Sequence, residues 1–169
     1  NYTLMNRYFL TLSIRRDGYS AFGMENPYAT FPSGALAWNL SDESFFNIKW
    51  INNLKVRASY GINGNRDIGI YDALAKLETN KYLTGSTLIS GIYSSSLANQ
   101  YLKWEKTKAL NLGLDFSVLD SRLNGSVDYY SMITNDLLLK RSLPTIIGYD
   151  NVMSNMGELQ NKGFEMTLN

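Results

Sequence analysis

The chain has 169 residues, with 16 lysine and arginine residues set against 15 aspartate and glutamate residues. This near-zero balance argues against nucleic-acid binding, which needs a strongly basic face. The absence of cysteine and histidine excludes disulfides and thiolate metal sites, and it removes the commonest general base and the commonest metal ligand.

The first three predicted strands alternate apolar and polar residues, as strands with one apolar and one polar face do. They run from about Arg7 to Arg15, Ser33 to Leu40 and Leu54 to Asn63. The connection from Ser41 to Asn53 lies among aromatic residues that we expect to form a girdle at a membrane interface. These residues are Trp38, Phe45, Phe46 and Trp50.

A long connection follows the third strand, from about Gly64 to Lys103. It is rich in Tyr, Ser, Thr, Asn and Gly and has no clear periodicity, which is typical of functional or disordered loops. Its tyrosines are candidates for contacts with a sugar ring or with a partner protein, although packing of one loop on another is the commoner role. The candidates are Tyr71, Tyr82, Tyr93 and Tyr101.

The fourth and fifth predicted strands, from Trp104 to Val118 and from Leu123 to Ile133, form a hairpin if Asp120 and Ser121 occupy a two-residue turn. In that register apolar residues face apolar residues and polar residues face polar ones, and a slip of one residue would destroy the agreement. The predicted pairs include Val118 with Leu123, Leu114 with Val127, Leu112 with Tyr129, Ser117 with Asn124, Asp115 with Ser126, Asn111 with Tyr130 and Phe116 with Gly125.

Another long connection, from Thr134 to Asn161, precedes a sixth strand that begins near Lys162. About six strands in an open sheet leave two bare edges, so we expect further strands outside this sequence to close the sheet. We accordingly interpret the sequence as an internal piece of a longer chain. No apolar run reaches the length of a transmembrane helix, and the alternation with short and long connections favours an outer-membrane β-barrel.

Long connections lie outside the cell in such barrels and short ones in the periplasm. We therefore expect the connections Gly18–Pro27, Gly64–Lys103 and Thr134–Asn161 on the outside. Those at Ser41–Asn53 and Leu119–Arg122 are expected on the periplasmic side.

A series of short motifs occurs in a fixed order along the chain. They are Arg15-Arg16-Asp17-Gly18 with Phe22-Gly23, Tyr28 to Ser33, Ile51 to Gly61, Leu102 to Thr107, Asp120 to Tyr130 and Asn161 to Glu165. Taken together they resemble the barrel of the SusC/RagA family of TonB-linked outer-membrane transporters, which is typical of Bacteroidetes. The region from about Gly69 to Gln100 carries little of the pattern.

This resemblance implies that residues 1–169 are part of a TonB-dependent receptor β-barrel domain, without its plug, from a barrel of the 22-stranded type. It implies a nutrient importer, not an enzyme, in the outer membrane of a Gram-negative bacterium. The implied partners are a SusD-like surface lipoprotein that acts as a lid, the TonB complex acting through regions outside this sequence, and outer-membrane lipid. The implied solute is an oligosaccharide, with peptides left open, and no cofactor is implied.

The alternative from another functional class is a soluble all-β ligand-binding module whose site is the tyrosine-rich loop. An outer-membrane enzyme is a third alternative, which the lack of histidine disfavours. Dependence on detergent would separate the importer from the soluble module.

The polar face of the third to fifth strands supplies candidates for contact with a plug or a passing solute in a barrel lumen. A hydrated polar wall is the commoner role of such residues. The candidates are Lys55, Arg57, Ser59, Asn111, Asp115, Asn124, Ser126 and Asp128. Asp115 and Asp128 could in principle form an acid–base pair, but the sequence predicts no closed pocket around them, and we assign no catalytic or metal-binding residue.

Overall fold

The computed structural model describes residues 1–22, 25–70 and 72–169, which form one seven-stranded and one four-stranded sheet. The strands are β1 (Tyr2–Leu4), β2 (Tyr8–Gly18), β3 (Tyr28–Asn39), β4 (Ile51–Asn65), β5 (Lys76–Thr84), β6 (Thr87–Leu97), β7 (Glu105–Val118), β8 (Leu123–Asn135), β9 (Leu138–Ser142), β10 (Asn151–Asn155) and β11 (Glu158–Leu168). Short 3-10 turns occupy Ser20–Phe22, Leu40–Asp42 and Thr145–Ile147. Among the residues described here, no helix has the length and apolar character needed to cross a membrane.

The larger sheet is an antiparallel wall with the strand order β1-β2-β3-β4-β7-β8-β11. Wall strands that follow one another along the chain are neighbours in the sheet, which confirms the predicted up-and-down architecture. The predicted hairpin is confirmed in register, because Leu114 pairs with Val127 and Asn111 with Tyr130. Its turn is also confirmed: the Arg122 N–H donates to the Leu119 carbonyl at 3.2 Å.

The tip of this turn has the backbone that the sequence prediction requires. Leu119, Asp120 and Ser121 have φ values of 55°, 55° and 63°, and positive φ angles at the two central residues, Asp120 and Ser121, are what a type I′ hairpin turn uses. Its twist matches that of the flanking strands, so the turn fixes the register of β7 on β8.

One face of the wall is apolar and open along its length. Its side chains are strongly exposed, with Ile14 at 75%, Leu36 at 60% and Phe164 at 77%. An extended, exposed apolar surface of this kind marks contact with lipid or another apolar partner. We call it the apolar face, and we call the opposite side of the same strands the polar face.

The strands extend further toward the long connections than the sequence predicts. β2 continues to Gly18, β3 begins at Tyr28, β4 reaches Asn65 and β11 begins at Glu158. The additional cross-strand pairs, such as Asp17 with Ala29, lie beyond the apolar stretch. Hydrophobic alternation therefore cannot reveal them, although the backbone hydrogen bonds continue.

The two longest connections contain strands that the alternation of apolar and polar residues does not reveal. The connection between β4 and β7 contains the hairpin β5–β6, and the one between β8 and β11 contains β9 and β10. These four strands form the second sheet, in the order β5-β6-β10-β9. β5 mixes polar and apolar residues on both faces, because it packs against no continuous core, and its alternation is therefore weak.

The three long connections pack together at one end of the wall. Phe22 from the first connection and Leu102 from the second are fully buried, and Met153 from the third joins the same cluster. Trp104 lies at its centre, with ring centroids 5.2 Å from Phe22 and 5.6 Å from Phe31. We call this set of connections, with the second sheet, the loop tier. The short connections lie at the opposite end, where the Leu119 N–H donates to the Trp50 carbonyl at 3.0 Å.

Candidate functional site

The eight residues predicted to line a lumen share the polar face. Lys55 pairs with Asp115, which in turn pairs with Ser126. The remaining pairings that connect the set are Arg57 with Gly113, Gly113 with Asp128, Ser59 with Asn111, and Ser117 with Asn124. Directly paired residues point to the same side of a sheet, so the register of β4, β7 and β8 places the set on one surface.

An ion cluster forms the centre of this surface. Arg57 Nε donates to Asp115 Oδ2 at 2.8 Å, and Arg57 Nη2 donates to Asp115 Oδ1 at 2.7 Å. Nη2 also donates to Asp128 Oδ1 at 2.9 Å. The planar guanidinium thus makes a bidentate contact with one carboxylate and a single contact with a second. It bridges β4 to β8 across the intervening strand β7.

A glycine in β7 makes this bridge sterically feasible. A Cβ atom at Gly113 would lie 2.5 Å from Asp128 Oδ1 and 2.8 Å from Arg57 Cζ. The guanidinium therefore occupies the space above the middle strand that a side chain would otherwise fill. Sequence reasoning placed Arg57 and both aspartates on one face but did not identify this role of the glycine.

The other candidates surround the cluster at different distances. Lys55 lies over the Phe9 ring, with Nζ 5.1 Å from the ring centroid. Ser59 and Asn111 line an open cavity of about 240 Å³ beside Arg57. Asn124 belongs instead to the hairpin turn, because its Nδ2 donates to the Ser121 carbonyl at 3.0 Å.

The acid–base alternative for the two aspartates is not supported by this geometry. Asp115 and Asp128 both accept hydrogen bonds from Arg57, and their side chains remain 38% and 31% exposed. Two carboxylates held by one guanidinium on an open surface form an ion cluster, whereas a catalytic acid–base pair flanks a bound substrate. Within the described part of the chain, no group of three or more acidic residues has metal-binding geometry.

The candidate tyrosines occupy separate positions in the loop tier. Tyr82 and Tyr93 lie on the same face of the β5–β6 hairpin, with 54% and 40% exposure. The Tyr93 hydroxyl donates to Glu78 at 3.2 Å, and the negative charge of Glu78 raises the pKa of Tyr93. Tyr101 is 77% exposed on the segment before β7. Tyr71 lies outside the described residues.

A polar cavity in the loop tier was missed by the sequence analysis. It has a volume of about 130 Å³ and is lined by charged residues from three separate segments: Asp72, Lys76, Glu78, Lys140 and Asp150. Lys76 Nζ donates to Asp72 Oδ1, and this hydrogen bond is the main reason that the pKa of Asp72 is held below its usual value. These segments are far apart in the sequence, so no short motif indicates that they meet. The pairing of β6 with β10 brings them together, and this pairing could not be predicted from the sequence.

Comparison with known proteins identifies relatives over the whole chain. Residues 1–169 match the family described as TonB dependent receptor-like, beta-barrel. The chain is 44% identical over 170 residues to TonB-dependent receptor P3 of Formosa agariphila, covering 100% of this chain and 17% of that protein. It is 38% identical over 176 residues to TonB-dependent receptor SusC of Bacteroides thetaiotaomicron, again covering 100% of this chain and 17% of the relative.

A solved structure shows the same fold. The RagAB peptide importer in its 'open-open' state superposes with a TM-score of 0.86 at 31% identity, covering 99% of this chain and 18% of that chain. The present chain thus spans less than a fifth of the length of these proteins.

Proposed function

Because the chain belongs to the TonB dependent receptor-like, beta-barrel family, we propose that it is a length of barrel wall, with its loops, from a nutrient importer in the outer membrane of a Gram-negative bacterium. The family consists of receptors and transporters, and the chain is not an enzyme. In this proposal residues 1–169 are a partial barrel domain, and the plug and the segment that engages TonB lie elsewhere in the protein.

The observation that carries the proposal is the contrast between the two faces of the wall. The apolar face exposes side chains such as Ile14 and Phe164, whereas the polar face carries the cluster of Arg57, Asp115 and Asp128. A wall between lipid and a wet lumen requires this distribution. A soluble module would instead bury the apolar face against a second layer, and the described second sheet packs only at one end.

We propose an oligosaccharide as the solute, with a peptide as the alternative. Two exposed tyrosine rings on one face of the hairpin, Tyr82 and Tyr93, support a sugar, because sugar rings stack on aromatic faces. The peptide alternative is supported by the RagAB structures, whose descriptions name a peptide importer. In this proposal the residues of the polar face line the path of the solute.

The proposed protein partner is a SusD-like surface lipoprotein that covers the loop tier, and the proposed energy source is the TonB complex. The support for a partner is an exposed apolar strip on the other face of the hairpin, where Leu77, Leu83 and Ile92 are 71%, 68% and 73% exposed. Apolar strips of this kind commonly mark a binding surface.

Growth on defined nutrients tests the proposal. Cells lacking the full-length protein would be supplied with single oligosaccharides or with defined peptides, and complemented with the wild-type gene. We expect growth to be lost on one solute class and restored by complementation only when TonB is present. Recovery of the protein in the soluble fraction without detergent, or unchanged growth on every solute tested, would overturn the proposal.

A further inference from the structure

Three lysines interrupt the apolar face at its loop-tier end. Residues that are paired across β7, β8 and β11 form rows on the apolar face. The row of Leu112, Tyr129 and Phe164 contains only apolar and aromatic side chains. The next three rows toward the loop tier each contain one lysine. The first of these rows consists of Leu110, Ser131 and Lys162, the second of Lys108, Ile133 and Gln160, and the third of Lys106, Asn135 and Glu158. We call Lys106, Lys108 and Lys162 the lysine patch.

The members of the patch are close enough to act on one ligand. Lys106 and Lys108 are two residues apart on one strand and point to the same side, so their Cα atoms are separated by about 7 Å. Lys162 lies two strands away, at a lateral distance of about 10 Å. Flexible four-carbon side chains can converge from these positions on a single group with several negative charges.

The positive charge of the patch is exposed and little neutralised by the protein. All three lysines are exposed, and none of them takes part in a salt bridge among the residues that the structure describes. Glu158 is the one carboxylate within these three rows, and it accepts a hydrogen bond from Asn135 Nδ2. The patch therefore presents a net positive charge to whatever covers the apolar face.

The opposite end of the wall has no such excess. The connections 5–7, 40–50 and 119–122 contain the carboxylates of Asp42, Glu43 and Asp120 and the cations of Arg7, Lys49 and Arg122, so the charges balance. Aromatic residues dominate there, with Tyr8 stacked on Trp38 at a centroid distance of 6.0 Å. The charge asymmetry thus distinguishes the two rims of one apolar surface.

We propose that the lysine patch binds the phosphate groups of lipid headgroups in the leaflet next to the loop tier. The inference rests on the proposed function, because it requires that the apolar face be embedded in a bilayer. Acyl chains then cover the row of Leu112 and Phe164, and the lysines lie at the depth of the headgroups. Ammonium groups at that depth attract anionic headgroups, and the position directly beyond the apolar rows favours a lipid over a soluble anion.

Lipid titration of the purified full-length protein tests the inference. The protein in neutral detergent would be titrated by native mass spectrometry with a diphosphorylated lipid A, with its dephosphorylated form and with inorganic phosphate alone. The variant is Lys106→Gln/Lys108→Gln/Lys162→Gln. The matched control removes the same charge elsewhere, as Lys49→Gln/Lys81→Gln/Lys140→Gln, since these three lysines are also exposed.

A basic residue near a membrane surface contributes about fivefold in affinity. We expect the patch variant to weaken binding of the diphosphorylated lipid at least about tenfold and the control variant to change it less than about twofold. Equal binding by the patch variant and the wild type would overturn the inference, as would equal binding of the dephosphorylated lipid. Saturation of the patch by inorganic phosphate at the concentration at which the diphosphorylated lipid saturates it would also overturn the inference. The patch would then bind a soluble anion as well as it binds a lipid headgroup.

Assembly of each variant is checked by heat-modifiable mobility. If the triple variant does not assemble, Lys108→Gln alone is titrated, with an expected loss of about fivefold, and an unchanged affinity would overturn the inference. Failure of the proposed function is distinguishable, because it would appear as absence of the protein from the outer-membrane fraction. An outer-membrane importer whose patch variant binds lipid normally would overturn only this inference.

Discussion

Arg57 and Gly113 are cross-strand partners, and the guanidinium of the arginine fills the space that the glycine leaves empty. The substitution Gly113→Ala would place a methyl group 2.8 Å from Arg57 Cζ, so we expect the contact from Arg57 to Asp128 to break. Because this ion pair is partly exposed, the expected loss is about 1 kcal/mol in the free energy of unfolding, measured by denaturant titration of the full-length barrel.

A double-mutant cycle supplies the control for this prediction. In an Arg57→Ser background the guanidinium is gone, so Gly113→Ala should destabilise the barrel clearly less than it does in the wild type. Equal destabilisation in the two backgrounds would show that the glycine is needed for the backbone of β7 and not for the arginine.

The two faces of β7 should differ sharply in their tolerance of charge. We expect Leu114→Arg, on the apolar face, to destabilise the full-length barrel by about 2–4 kcal/mol if it lies near the bilayer midplane. Asn111→Arg, on the polar face of the same strand, should be much milder because the new charge remains hydrated. Folding titrations into lipid vesicles measure the stability of both variants. Equal destabilisation by the two substitutions would indicate a wall buried on both faces.

Glu43 should make stability depend on pH. Its Oε1 accepts hydrogen bonds from the Tyr8 hydroxyl at 2.5 Å and from Trp38 Nε1 at 3.0 Å, and Arg7 Nη1 contacts Oε2 at 3.3 Å. The hydrogen bond from Tyr8 is the main reason that the pKa of Glu43 lies below its usual value of 4.5. A carboxyl whose folded-state pKa is lowered stabilises the fold above the unfolded-state pKa, and this contribution is lost as the pH falls through the folded-state value.

The substitution Glu43→Gln should therefore lower the denaturation midpoint at neutral pH, and the difference from the wild type should shrink as the pH falls below about 4.5. Glu25→Gln, in an exposed turn, is the control and should leave the midpoint unchanged at neutral pH. A difference between Glu43→Gln and the wild type that stays constant from neutral to acidic pH would contradict the prediction.

Cysteines introduced in the loop tier and in the short turns should react with an impermeant reagent from opposite sides of the membrane. Thr84, beside the tip of the β5–β6 hairpin, is exposed, whereas Ser95 in the same connection is only 6% exposed and unsuitable for labelling. We expect a cysteine at Thr84 to react with an impermeant maleimide on intact cells, and a cysteine at Asp120 to react only after the outer membrane is permeabilised. The reverse pattern would invert the proposed orientation.

Shortening the β5–β6 hairpin should separate transport from assembly. Glu78 pairs with Tyr93, so residues 79–92 can be replaced by Asn-Gly, which closes a two-residue turn on that pair. The hairpin belongs to the second sheet and makes no wall pairs, so we expect normal heat-modifiable mobility but impaired growth on the cognate solute. Replacing only residues 84–87 by Asn-Gly is the milder control. Normal growth with the shortened hairpin would make it a passive connection.

The wall could be predicted from the sequence because its two faces meet different environments, so that apolar and polar residues alternate along each strand. The pairing of Leu114 with Val127 and of Asp115 with Ser126 follows from the requirement that each face meet a single environment. The type I′ turn at Asp120 and Ser121 then fixes the register. By contrast, the extensions of β2 and β4 beyond the apolar rows carry no such signal.

The loop tier could not be predicted by the same reasoning. Its contacts join segments far apart in sequence, such as Asn99 Nδ2 with the Met153 carbonyl at 2.9 Å. The candidate tyrosines were identified by residue type, but of the three that the structure describes it brings only Tyr82 and Tyr93 to a common face. The bridge from Arg57 over Gly113 depends on a missing side chain, which a pattern of polar residues does not reveal.

The loop tier is held together by the buried core around Trp104, whereas the wall is held together in a different way. Every buried hydrophobic residue of the described chain lies at this end, whereas the wall strands owe their order to backbone pairing and to the solvents on either side. The hairpin can therefore change in length and surface chemistry without disturbing the alternation of β4 or β7. Such a division would let one scaffold acquire new recognition surfaces during evolution while its spanning strands stay constrained.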